Sequence, residues 1–223
     1  MSPASSAASA AYEAIVLTAG EPSSADGPGR WPDVREAALS LFSARGYHGT
    51  TMKDVAKVLG VRAPSLYNHV ESKQEILQRI MVSGMHRLLA FQDAALASTD
   101  DTAEQLRRMT GAHVLVHIRH RHSAMVGDRE LSNLEGEALD LVRSERARYE
   151  QRYRALIQRG VDDGLFHVDQ PKVATFAIIQ MASSVSVWFN EDGPLSDHEV
   201  ADEYGALALR IVGADPARVD ISA

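Results

Sequence analysis

In the stretch "GVRAPSLYNHVESK", residues 60–73, Arg62, Ala63, Ser65, Tyr67, Asn68 and His69 fall within eight positions, and Lys73 follows closely. These are short or polar groups of the kind that meet base edges and phosphates, and Tyr67 can lie along a groove wall with its hydroxyl on a phosphate. Lys73, at the start of a helix, sets a positive charge where backbone N–H groups already favour an anion. A second group of candidates lies in "HVLVHIRHRH", where His113, His117 and His120 stand at i, i+4 and i+7 on one helical face. The first pair has the spacing of a metal grip. No acidic residue accompanies it at helical spacing, and the chain has no cysteine. Pocket or core histidines are therefore the preferred reading, and a metal-responsive protein using His113 and His117 the lesser one. The carboxylates of "DRE", residues 128–130, could join the histidines in acid–base catalysis, but no nucleophile motif, phosphate loop or metal triad accompanies them. No enzyme, catalytic residue, metal or cofactor is expected.

Bulk properties bound what these groups can serve. The 223 residues carry a formal net charge of −7 at pH 7 and are 45% hydrophobic, enough to bury a core. An acidic chain does not coat nucleic acid indiscriminately, because counterion release needs clustered Lys and Arg. The charge is uneven, however: residues 30–75 carry seven basic groups against five acids, a local balance of +2. No apolar run has membrane-spanning length and the start lacks a basic signal region, so a cytoplasmic protein with no membrane partner is expected.

The elements that position the candidates are helices throughout. Residues 1–30, rich in Ala, Ser, Gly and Pro, read as a disordered tail with at most a helical fragment at "YEAIVL". Val34, Ala37, Ala38, Leu41 and Phe42 give the first helix its stripe, and Gly46 closes it. "TMKDVAKVL" starts from Thr51 as N-cap and stops at Gly60. A short helix covers about Pro64 to His69, and the next runs from Ser72, boxed with Glu75, to about Ala97. Further helices are expected over 102–122 with Thr102 and Gln105 as capping box, from Gly136 to Gly160, from Pro171 to Asn190 and from Ser196 to Val212. A short turn is expected near "SAMVGDREL". The expected fold is all-α: a three-helix unit over 31–75, a larger bundle over 76–213 and a tail over 214–223.

Ala56, then Gly60 four residues on, then Leu66 six further, supply the small contact residue, turn residue and apolar anchor that a helix-turn-helix needs. "ALSLFSARGYHGTTMKDVAKVLGVRAPSLYNHVESKQEIL", residues 38–77, resembles the N-terminal domain of TetR-family transcriptional regulators. The resemblance implies that Thr50 or Thr51, Arg62, Ala63, Ser65, Tyr67, Asn68, His69 and Lys73 occupy positions that contact operator DNA. Two residues depart from the pattern: Ala63 stands where a Lys is frequent and Val70 where a Phe is usual.

One such unit makes too few contacts for a specific site, so a homodimer on a palindromic double-stranded operator is implied. The last two helices offer small residues along "VATFAIIQMASSVSVWF" and a stripe along "VADEYGALALRIV". Ala177, Ser184, Trp188, Tyr204, Leu207 and Ile211 are the expected dimer contacts, in a four-helix bundle as in the family. Residues 125–196 resemble the branch that includes repressors of fatty-acid and sterol catabolism, which implies a small-molecule effector, an acyl-CoA thioester above all. An apolar effector of the drug or efflux type is the alternative. Met85, Leu89, Met109, Val116, Met125, Phe176 and Met181 suit an adaptable apolar cavity, with His113, His117 and Trp188 beside them. Arg146, with Arg119, Arg121 and Arg143, suits a phosphate-bearing head.

Overall fold

The computed structural model describes residues 10–16 and 30–215. Among them every regular element is helical: α1 over residues 10–16, α2 Trp31–Arg45, α3 Met52–Val58, α4 Ala63–Leu66, α5 Lys73–Ala97, α6 Thr102–Arg119, α7 Arg121–Arg129, a 3-10 turn Leu131–Asn133, α8 Gly136–Asp162, α9 Pro171–Ser183, α10 Val185–Trp188 and α11 Asp197–Ile211. They divide into two compact units. Among the described residues the head unit holds 30–87 and 120–145, and the body unit holds 10–16, 88–119 and 146–215. The cut departs from the expected boundary at 75, because α7 packs on α2 and brings residues 120–145 into the head.

In the head, α2 buries the predicted stripe: Val34, Ala37, Ala38, Leu41 and Phe42 are all core. Thr51 caps α3 in a capping box with Asp54, accepting from the Asp54 N–H while the Asp54 carboxylate accepts from the Thr51 N–H. Gly60, at φ 67°, makes the left-handed turn after α3 that a side chain would strain. Val55, Ala56, Leu66, Val70, Ile76 and Leu77 close a core that leaves Leu66 1% exposed.

In the body, α6 and α11 pack closely along each other. Several expected boundaries moved. Asp101 rather than Thr102 caps α6, accepting from the Glu104 N–H at 2.9 Å, while Gln105 Nε2 donates to the carbonyls of Leu96 and Thr99. The helix expected over 102–122 stops at Arg119, and the turn expected near 123–131 is the nine-residue α7. The helix expected over 171–190 breaks at Ser184. Its hydroxyl donates to the Met181 carbonyl and that of Ser186 to the Ser183 carbonyl, the serine back-bonding that competes with a regular helix. The Ser196–Glu199 capping box opens α11 as predicted. The disordered tail is corrected at residues 10–16, which are helical with Tyr12 and Ile15 fully buried, and at Arg30, which precedes α2 as its N-cap; residues 1–9 and 17–29 of that expectation, like most of the tail expected after 213, lie outside the described ones.

Candidate functional site

The four-residue α4 follows from local chemistry. Pro64 sits in its first turn, where the missing N–H costs nothing, and Leu66 points inward. With Leu66 locked below, the outward positions are fixed: Arg62, Ser65, Asn68 and His69 are exposed, Ala63 is half-buried and Tyr67 is 51% exposed. No carboxylate interrupts residues 62–70. The surface is therefore one of donors, acceptors and an aromatic on a rigid apolar base, able to follow a groove and contact phosphates.

Two members of the predicted set are used differently. Thr50 is fully buried, and its hydroxyl donates to the Gly46 carbonyl at 3.0 Å. Lys73 does not hold out its ammonium for a phosphate. Nζ donates to the carbonyls of Tyr47 and Thr50, both at 2.7 Å, and lies 4.1 Å from the centre of the Tyr47 ring. Burial pushes its pKa below the usual lysine range, with Glu130 opposing the shift. Thr51 is exposed but spends its hydroxyl on the α3 cap. The internal uses are three-dimensional, and the motif spacing carries no sign of them.

In the body unit, His113 lies wholly inside. Nδ1 is 2.5 Å from the Tyr149 hydroxyl and Nε2 is 3.1 Å from Ser183 Oγ, and burial, then His117, holds its pKa well below the usual histidine range. A neutral ring bonded on both sides follows. His117 stacks on it, centroids 3.9 Å apart and planes 9° apart, and donates from Nδ1 to the His113 carbonyl. Imidazole lone pairs lie in the ring plane, so two parallel rings do not converge on one ion. Among the described residues no group of three or more His, Asp or Glu side chains is placed to hold a metal.

Tyr149, Ser183 and Gln92 complete this cluster and were missed in the sequence, because none shares a motif or helix face with His113. Gln92, 1% exposed, donates from Nε2 to the Tyr149 carbonyl while its Oε1 is buried without a partner. Met109, Val116 and Leu89 are buried in the same unit, Met181 and Arg146 are half-buried, and Met85 and Met125 belong to the head unit. Phe176 is no cavity residue: at 44% exposed it shares the outer face with Val173, Val187 and Trp188. Arg119 is likewise committed, to Glu13 and Asp197. On that outer face Ala177, Ser184 and Trp188 are exposed and Tyr204, Leu207 and Ile211 are partly so, with Trp188 Nε1 donating to the Tyr204 hydroxyl. Ala174, Ala182, Val200 and Ala208 turn inward to their own core.

A helix-turn-helix whose residues 62–70 present a polar, acid-free outer surface is the architecture of a DNA-binding protein. Residues 34–80 match the family described as bacterial regulatory proteins, tetR family, and residues 99–212 match the tetracyclin repressor-like C-terminal domain. The chain belongs to the TetR family, and it is a DNA-binding transcriptional regulator. It is 28% identical over 187 residues to the HTH-type transcriptional repressor KstR2 of Mycolicibacterium smegmatis, covering 81% of this chain and 89% of that one. The solved TetR family transcriptional regulator PfmR from Thermus thermophilus is 32% identical at a TM-score of 0.72, over 82% of this chain and 98% of its own. AibR, solved in complex with isovaleryl coenzyme A and operator DNA, shares the fold at 24% identity and a TM-score of 0.73, over 84% of this chain and all of its own.

Proposed function

We propose that this regulator is a cytoplasmic repressor that binds a palindromic operator as a homodimer and is released by a small-molecule effector, an acyl-CoA thioester by preference. The observation that carries the reading is the division of residues 62–69, α4 and its flanks, into a buried Leu66 and an exposed Arg62, Ser65, Tyr67, Asn68 and His69. Selection from a random DNA pool tests it: a palindrome with half-sites about one helical turn apart is expected, and an asymmetric site or none would overturn it.

The dimer is proposed on the outer face of α9–α11, where Trp188 and Val187 stand 50% and 60% exposed. Burying a patch of that kind drives association, and an unpaired charge at its centre opposes it. Trp188→Glu is expected to leave the helical content unchanged and to move the protein from dimer to monomer in sedimentation. A variant that stays dimeric would exclude this face.

The effector site is proposed around His113, Tyr149, Ser183 and Gln92. Gln92 Oε1 offers a buried acceptor that a ligand donor can fill, and Met109 and Val116 supply adaptable apolar neighbours. KstR2 is named a repressor, which supports repression, and AibR was solved in complex with isovaleryl coenzyme A and operator DNA, which supports an acyl-CoA as the ligand. Isovaleryl-CoA and longer acyl-CoAs are expected to raise the melting temperature and lower operator affinity, whereas stabilisation by apolar compounds alone would favour the drug-type effector. The parallel stacking of His113 and His117 speaks against the metal-responsive alternative.

A further inference from the structure

The N-terminal helix is the feature that neither DNA reading nor effector binding accounts for. Seven residues, 10–16, are short for an isolated helix in water, so packing must hold them in place. Tyr12, 1% exposed, enters a body-unit core containing Leu115 and Ile118 of α6, Val185 of α10 and Val200 of α11. The socket is cut by two glycines on facing helices. A Cβ built on Gly111 of α6 would lie 2.4 Å from the Tyr12 ring, and one on Gly205 of α11 would lie 3.2 Å from its hydroxyl and 2.8 Å from Arg107. Both glycines are buried inside long helices, where Ala is ordinarily the better residue. The next residue, Glu13, grips Arg119, the last residue of α6, at 2.6 Å, and His198, in the first turn of α11, at 2.9 Å; Arg119 also pairs with Asp197. The same short helix thus holds α6 and α11 together at two levels.

We propose that residues 10–16 are a docked strap that locks α6 to α11 in the body unit through a preformed socket for Tyr12 and an ionic clasp on Glu13. The docking leaves polar capacity unfilled. Tyr12 Oη and Asp202 Oδ1 are both buried without a hydrogen bond of ordinary geometry, so the strap is held by ring shape and by the clasp. Since α6 also carries His113 and His117, a locked α6 resists any movement that would part His113 from Tyr149 and Ser183. That consequence rests on the effector reading above; the lock itself rests on the socket and the clasp.

A four-member cycle on the full chain tests the lock. Gly111→Ala is expected to lower the melting temperature when Tyr12 is present and to raise it in the Tyr12→Ala background, because the methyl then meets no ring and only its helix preference remains. Stabilisation in both backgrounds would show that no ring fills the socket and would overturn the proposal. Glu13→Gln, which leaves the socket intact, gives a second readout in a chain that keeps its core. Amide exchange is expected to quicken at least tenfold in residues 10–16 and, with them, in 111–119 and 197–201, while residues 52–70 keep their rates. Faster exchange confined to 10–16 would mean that the helix docks without locking anything, and unchanged exchange throughout would remove the clasp; either result overturns the strap.

Discussion

Tyr67→Ala is expected to weaken operator binding by about thirtyfold to several hundredfold, from about 1–2 kcal/mol lost in each half-site of a dimer. The melting temperature should barely move, because about half of this residue faces outward. Leu66→Ala, one position earlier, is the control with the opposite signature. It removes a side chain that is 1% exposed beneath α4, costing about 2–5 kcal/mol of head stability, and it loses DNA binding only because the head unfolds. Electrophoretic mobility shift beside thermal melting separates the two. If Tyr67→Ala binds its selected operator as the unaltered chain does, α4 does not read DNA through that residue.

The contrast between those neighbours also marks what a sequence can carry. Ala56, Gly60 and Leu66 were legible because tight crossing of two short helices admits few residue types at each place, and the spacing preserves the geometry. Thr51 was legible because a cap is a contact between residues three apart. The same local reasoning failed at Asp101 and Thr102, adjacent residues that both make good caps. There Asp101 takes the Glu104 N–H, and Gln105 turns to the end of α5 instead. It failed more deeply at Tyr12. Nothing in "AAYEAIVL" distinguishes a helix that docks from one that frays, because what holds it, the socket of Gly111 and Gly205, is written about a hundred and two hundred residues further on. The His113 cluster was half legible in the same sense. The histidine spacing placed His113 and His117 on one face of α6, while Gln92, Tyr149 and Ser183 come from three other helices and share no pattern with them. Phe176 was misassigned because an apolar residue on an amphipathic helix looks alike whether it lines a cavity or awaits a partner.

Lys73 supplies the other large effect, and it turns on a distinction of mechanism. A lysine at the start of a helix beside a reading head serves a phosphate or serves the fold, and the two uses leave different traces. With Nζ 2.7 Å from each of two carbonyls and stacked over Tyr47, Lys73→Met removes two charge-assisted hydrogen bonds, one to the Thr50 carbonyl and one to the Tyr47 carbonyl, which keeps only the Thr50 N–H at 3.3 Å. About 2–4 kcal/mol of head stability should go with them. Affinity for the operator then falls through a smaller folded population. Its dependence on salt should not change, since no counterion is released at this site in the unaltered protein. Arg62→Ala is expected to do the reverse: little change in melting, and a slope of log affinity against log salt shallower by about one for each half-site. Affinity measured at four or five salt concentrations for both variants decides the point. A shallower slope for Lys73→Met with an unchanged melting temperature would return this lysine to the phosphate backbone, whereas a parallel slope with early melting identifies its ammonium as the clamp that joins the start of α5 to the turn before α3.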